Sequence, residues 1–200
     1  MMSERIYLNN DWKFAEQFEA SMTEAAYDDS VMQNVRLPHT CKETPLHYFD
    51  EHCYQMVSGY RRVIEAEEAW KGKKILLTID GAAHDSEVFL NGEKVGEHHC
   101  GYTAFTMDIS GVLRYGEKNI LVVKVDSRED LNIPPFGYVI DYMTYGGIYR
   151  DVYLDIKNKD YIEDIFIRTN IGQMDDQNAE LISEVTDAKN AGGIVFKTES

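Results

Sequence analysis

The chain has 200 residues, 44% of them hydrophobic, enough for one full core and part of a second. Its 35 acidic residues against 20 basic ones give a net charge of −15 and a pI near 4.7. Such a surface repels phosphates and gains nothing from counterion release, which excludes nucleic acid and anionic membrane surfaces as partners. No stretch approaches the roughly 20 apolar residues that span a bilayer. The opening Met1-Met2-Ser3-Glu4-Arg5-Ile6 has neither the basic nor the apolar region of a secretory signal. Cys41, Cys53 and Cys100 are few, odd in number and without paired spacing, so a reducing, cytoplasmic location is expected.

In chain order, Glu16–Ala26 has helix-forming composition but no capped apolar stripe. Strands are predicted at Gln55–Ile64, Lys74–Asp80 and Glu87–Leu90, each short, rich in β-branched or aromatic residues and bounded by turn residues. Ala66–Lys71 reads as a turn between the first two. Asn91-Gly92 suits a type I′ turn, whose two central residues need positive φ, and predicts a hairpin over 86–96. Further strands are predicted at Asn119–Asp126 and Arg150–Ile156, then, after the polar break Lys157-Asn158-Lys159-Asp160, at Ile162–Thr169 and Glu180–Val185. Many short strands without βαβ alternation indicate a β-sandwich and exclude nucleotide-binding α/β folds. About forty residues follow the break, against roughly a hundred for a whole sandwich, so the chain is expected to stop inside its second domain.

No metal-site spacing is present: His98-His99-Cys100 places neighbours on opposite faces of a strand, and there is no C-x-x-C or H-E-x-x-H. No nucleophile elbow exists, and no pair of carboxylates is marked out for the facing arrangement that glycosidase chemistry needs. Glu65, Glu67 and Glu68 read as a solvated face, and His39, His47 and His52 as loop or packing residues. Leu131–Gly147 stands apart. It begins Ile133-Pro134-Pro135-Phe136-Gly137 and carries Phe136, Tyr138, Tyr142 and Tyr145 around Asp141. Aromatic rings beside a carboxylate suit sugars, which stack C–H faces on rings and donate hydroxyls to acids. The same rings would equally serve to pack against another domain.

Six segments in order over residues 5–156 resemble the N-terminal domain of glycoside hydrolase family 2, which includes β-galactosidases, β-glucuronidases and β-mannosidases. They are Ile6–Phe14 (like "LNGxWKF"), Val35–Thr40 (like "VxLPHxW", with Cys41 where Trp is usual), Gly59-Tyr60-Arg61-Arg62, Gly81–Gly92, Val95–Phe105, and Tyr145–Val152 (like "GGIxRxV"). The resemblance implies an all-β fold: a jelly-roll β-sandwich of the galactose-binding type over residues 1–157, then the start of an immunoglobulin-like sandwich over 158–200. It implies a non-catalytic sugar-binding and domain-packing part of a retaining hydrolase of β-galactosides. Both catalytic glutamates would sit on a downstream (β/α)₈ barrel, so no residue here inherits a catalytic role and the fragment alone is expected to be inactive.

Asp141 stands where the family carries an aspartate that touches the galactose subsite and, in some members, a sodium ion. The family's second contact is an Asn or Asp at the position of Ala83, so His84 or Asp85 would have to substitute. With Tyr142 these are the expected substrate-binding residues. No metal or cofactor is expected in the fragment, sodium or magnesium being a matter for the full-length parent. The expected partners are a β-linked carbohydrate and the chain's own barrel, and the parent is expected to be a homo-oligomer. The alternatives are a stand-alone carbohydrate-binding module or the N-terminal domain of a β-glucuronidase or β-mannosidase. Trp12 and Phe14 are expected in the core, Tyr102 beneath the sheet, and Arg150 and Asp151 as supports of the closing strand.

Overall fold

The computed structural model describes residues 4–44, 46–47, 50–133, 145–170, 180–187 and 190–198, with backbone alone for the strands after Tyr161. The chain divides into two compact units, the first ending at Ile156 and the second running from Lys157.

The first unit is built from β1 (Glu4–Tyr7), β2 (Trp12–Ala15), β3 (Gln33–Val35), β4 (Val57–Glu65), β5 (Lys74–Ile79), β6 (Ala82–Ala83), β7 (Asp85–Leu90), β8 (Glu93–His99), β9 (Phe105–Asp108), β10 (Lys118–Asp126), β11 (Gly147–Ile148) and β12 (Val152–Lys157). They form a four-stranded sheet in the order β1-β12-β5-β9, a six-stranded sheet in the order β3-β2-β4-β10-β7-β8, and the short ladder β11-β6. One core joins the two larger sheets. Ile75, Leu77, Ile79 and Leu154 of the first meet Tyr60, Val88, Leu90, Leu121, Val123 and Val125 of the second. The all-β sandwich expected from the sequence is therefore the fold, and Trp12 and Phe14 lie in its core.

Alternation is plainest in β7. In β7, Ser86, Val88 and Leu90 point inward while Asp85, Glu87 and Phe89 are partly exposed. The hairpin β7–β8 turns on Asn91 (φ 53°) and Gly92 (φ 87°), both left-handed as the type I′ turn requires. Asn91 does more than turn the chain. Its amide donates to Asn119 Oδ1 at 2.8 Å and to the Val112 carbonyl at 3.2 Å, and its oxygen accepts from the Ile120 amide at 3.0 Å.

The helix-like composition of Glu16–Ala26 yields only a 3₁₀ turn at Ala20–Thr23. The six-stranded sheet is apolar on its outer face as well, where Val122 packs against Met22 and Met32, with Phe18, Tyr27 and Phe89 around them. The segment from Phe18 to Met32 is laid over that patch and tied down by Arg61, which is 3% exposed. The guanidinium donates to the carbonyls of Met22 (3.1 Å) and Glu24 (3.2 Å) and to Asp29 Oδ2 (2.6 Å). Gly59 lies directly beneath it, where a Cβ would sit 2.6 Å from Met22 Sδ and push that side chain aside.

One smaller expectation changes. Tyr102 is 46% exposed instead of lying beneath the sheet. Arg150 braces the closing region as expected, through the carbonyls of Tyr102 (2.9 Å) and Asp80 (3.4 Å). Asp151 accepts from Asn9 Nδ2 at 2.9 Å. The second unit contains one antiparallel sheet, β13 (Ile162–Asn170), β14 (Glu180–Asp187) and β15 (Asn190–Thr198), in that order.

Candidate functional site

Two stretches singled out separately in the sequence, 83–85 and 131–147, meet in space. β6 and β11 pair antiparallel with Gly147 opposite Ala83 and Ile148 opposite Ala82. This sets the closing end of the aromatic loop directly beside the start of β7. The peptide between Ala83 and His84 is cis, and the His84 amide donates to the Asp126 carbonyl at 2.9 Å. A cavity of about 480 Å³ opens here, lined by Gln55, His84, Asp85, Asp126, Arg128, Glu129, Asp130 and Ile133. That volume lies in the range of small-molecule sites, about 300–1,000 Å³.

The lining is strongly polar. Arg128 grips Asp126 through Nε to Oδ1 (2.9 Å) and Nη2 to Oδ2 (2.5 Å), and its amide also donates to Oδ1 (3.0 Å). Burial would raise the Asp126 carboxyl, but this fork of donors outweighs it and holds the group below the usual carboxylate range. Asp130 Oδ1 accepts from the Asn132 amide (2.7 Å) and side chain (3.0 Å), closing the turn into Ile133. Asp85 Oδ1 accepts from His99 Nδ1 at 2.6 Å.

His84 differs from all of these. It is 1% exposed, and neither ring nitrogen makes a hydrogen bond. The main chain of Arg128 lies near enough to favour the protonated ring slightly. Desolvation dominates and pushes the imidazole below its ordinary pKa, so it is neutral at pH 7. A buried polar group left unpaired costs about 1–3 kcal/mol, and native structures leave few of them. Ser86 Oγ, two residues further on in β7, is likewise buried and unpaired.

The far end of the aromatic loop is held rigidly. Gly146 packs so closely that a Cβ would fall 2.5 Å from Ser127 Cβ and 2.6 Å from Cys41 Sγ. Gly147 has φ +106°, and a Cβ on it would meet Tyr60 Oη at 2.6 Å. Around them, Cys41 N donates to the Gly146 carbonyl (2.9 Å), His39 N to the Ile148 carbonyl (2.8 Å), and the His39 ring pairs with Tyr60 Oη (2.8 Å). Ser127 Oγ donates to the Tyr54 carbonyl at 2.5 Å, and the Tyr54 and Tyr145 rings meet edge to face. Burial pushes the Cys41 thiol up to about 11, making it a packing group in this cluster and no nucleophile.

Of the four substrate-binding residues expected, His84 and Asp85 line the cavity, while Asp141 and Tyr142 lie outside the described residues. Asp126, Arg128, Glu129 and Asp130 were not anticipated. Their local signal, a strand ending in Asp-Ser-Arg-Glu-Asp, reads in one dimension as a solvated turn. Among the described residues no group of three His, Cys, Asp or Glu is placed to hold a metal ion, and no helix is long and apolar enough to cross a membrane.

Two packed antiparallel sheets with a polar cavity at the β6–β11 end define an all-β domain of the sandwich class. Residues 7–158 match the model for glycosyl hydrolases family 2, sugar binding domain, and the chain belongs to that family. It is 38% identical over 195 residues to a β-galactosidase of Thermoanaerobacter pseudethanolicus, covering 90% of this chain and 26% of that protein. It is 34% identical over 154 residues to a β-glucuronidase of Bacteroides fragilis, covering 77% and 21%. Among solved structures, a calcium-binding mutant of Bacteroides uniformis β-glucuronidase 2 superposes with a TM-score of 0.80 at 26% identity, covering 100% of this chain and 28% of that one. The chain thus spans about a quarter of the length of the curated relatives it matches.

Proposed function

We propose that this chain is the non-catalytic, sugar-binding and domain-packing N-terminal part of a retaining hydrolase of β-galactosides. The catalytic carboxylates and barrel then lie outside residues 1–200, and residues 158–200 begin an immunoglobulin-like sandwich. The observation that carries the reading is the β6–β11 ladder, which sets the base of the loop bearing Asp141 against His84, Asp85 and their cavity. The 38% identity to a β-galactosidase supports galactose as the sugar. Asp141 would accept a sugar hydroxyl, the cavity's carboxylates would accept others, and the loop aromatics would stack on the pyranose. Any sodium or magnesium would be a property of the parent. A cytoplasmic, homo-oligomeric parent is part of the same reading.

The deciding experiment is kinetic. In the full-length parent, kcat/KM for an aryl β-galactoside should exceed that for the aryl β-glucuronide by at least about 100-fold, and Asp141→Ala should lower it by 10-fold or more. The isolated chain should hydrolyse neither. A preference for the glucuronide would replace galactose with glucuronic acid, and unchanged activity in Asp141→Ala would leave the domain a scaffold.

A further inference from the structure

We propose that Cys41 and Cys53 form a redox latch, in which peroxide converts the two thiols to a disulfide that clamps the base of the aromatic loop. The inference concerns control of the fold and stands apart from the choice of sugar.

The two cysteines, twelve residues apart in the chain, belong to one cluster. Cys41 Sγ lies 3.7 Å from the carbonyl oxygen of Tyr54, the residue directly after Cys53. Both side chains pack on the same core, Cys41 buried and Cys53 partly exposed. They also feel one another: a charge on Cys53 disfavours ionisation of Cys41, and the Lys42 ammonium lies within electrostatic reach of both. Cys41 is fixed from the other side. Its amide donates to the Gly146 carbonyl at 2.9 Å, and a Cβ on Gly146 would stand 2.6 Å from its sulfur. Cys53 sits in the 3₁₀ turn Glu51–Tyr54, where its amide donates to the Asp50 carbonyl at 3.1 Å. A disulfide wants Cα atoms about 4.4–6.8 Å apart, and any adjustment falls on this more exposed turn.

The unequal exposure assigns the order of events. Hydrogen peroxide reaches Cys53 first; the sulfur takes one oxygen to become a sulfenic acid, and the rest of the peroxide leaves as water. The Cys41 sulfur then bonds to the Cys53 sulfur, the S–O bond breaks, and the departing hydroxide takes the Cys41 proton as a second water. Two thiols have lost two hydrogens and two electrons, and one peroxide has been reduced to two waters. Cys41 is inert at rest because burial keeps it a thiol. Beside a sulfenic sulfur its sparse ionised fraction suffices, because the reaction is then intramolecular.

The latch costs the cluster little. The Cys41 hydrogen bond to the Tyr54 carbonyl disappears, but Ser127 Oγ still donates to that oxygen at 2.5 Å. In its place stands a covalent link between two groups that already hold the loop's end. One is Cys41, bonded to Gly146; the other is the turn carrying Tyr54, whose ring meets that of Tyr145.

The test uses the full chain carrying Cys100→Ser, in which any internal disulfide must join Cys41 and Cys53. Hydrogen peroxide should remove two hydrogens by intact mass, peptide mapping should link the two cysteines, and dithiothreitol should reverse both. Oxidation should shift the amide resonances of Tyr145 and Gly146 and slow hydrogen exchange at the Cys41 amide by at least about tenfold. Because the Cys41 thiol is pushed up to about 11, closure in excess peroxide should speed up several-fold per pH unit from about pH 7 to 9. Adding Cys41→Ser should halt the reaction at a Cys53 sulfenic acid, trapped by dimedone, whereas with Cys53→Ser the Cys41 thiol should survive. The proposal is overturned if no link joins Cys41 to Cys53, if links form only between molecules, or if the link leaves the Tyr145 and Gly146 amides unmoved. Ready oxidation of Cys41 in the Cys53→Ser chain would overturn it too. Should a further serine variant fail to fold, the mapping and spectra of the Cys100→Ser chain decide alone.

Discussion

Arg61 and His84 are both almost wholly buried polar side chains at the six-stranded sheet, yet the fold treats them in opposite ways. Arg61, 3% exposed, spends its guanidinium on two carbonyls and a carboxylate and so fastens the Phe18–Met32 segment over the outer apolar face. His84, 1% exposed, has no partner for either nitrogen. The first region shows how a buried charge becomes structural: each of the three guanidinium nitrogens has a protein acceptor. The second carries a cost that packing alone does not require, next to a cavity of suitable size. Such unreturned costs are expected where a site is prepared for something else.

The largest effect that should distinguish the regions is at Arg61. Arg61→Met leaves Asp29 and two carbonyls without their donor, and should destabilise the first unit by about 3–5 kcal/mol. Denaturant titration should show this as a lowered midpoint with unchanged slope. A loss under about 1 kcal/mol would mean that the outer segment is held by Met22 and Met32 alone.

At the cavity end the backbone, and not a charge, is the sensitive element. Gly147→Ala must place a Cβ at φ +106° and against Tyr60 Oη. It should cost about 1–3 kcal/mol, with the His39 and Tyr60 resonances shifting first. A silent substitution would show that the base of the aromatic loop is less rigid than its packing implies.

The smallest effect should be at His84 itself. His84→Leu removes an unpaired polar group and keeps an apolar body of similar size, so stability at pH 7 should change by less than about 1 kcal/mol, in either direction. The pH dependence carries the sign. Burial lowers the folded-state pKa of His84, and of His39 and His98, below the unfolded value. Between the two pKa values the unfolded chain binds more protons, so stability is fully present above about pH 6.5 and is lost as pH falls through the folded values. Each such group contributes at most about 1.4 kcal/mol per pH unit across that window. Replacing His84 should flatten the slope between pH 6.5 and 5, and an unaltered slope would mean that its ring finds a partner in solution.

Much of this architecture was legible one strand at a time. β4, β5, β7 and β10 run for six to nine residues, long enough for stretches rich in Val, Ile, Leu or Tyr to stand out between turn residues, and Asn91-Gly92 announced its own turn. β1, β2, β3 and β9 have only three or four residues each, too few for a period. β1 is a strand because Glu4 finds Ile156 across nearly the whole unit. Glu16–Ala26 misled for a related reason. Its composition favours helix, but an apolar face on a sheet it does not belong to, together with Arg61, decides its path.

The site divides along the same line. Asp141, Tyr142, His84 and Asp85 could be marked from the sequence because the resemblance and a loop rich in rings and acid pointed at them. The meeting of Asp85 with Asp126, Arg128, Glu129 and Asp130 could not, since it depends on β7 and β10 pairing with Asp85 opposite Asp126.

Composition and turn chemistry determined an acidic all-β sandwich, and the resemblance of six ordered segments pointed to its family, because charge, turn chemistry and short motifs are properties of neighbouring residues. Which acids face one another, which arginine is already spoken for and which histidine is left unpaired were decided only by the tertiary structure. Burial and hydrogen-bond satisfaction exist only between residues that the sheet brings together from distant parts of the chain.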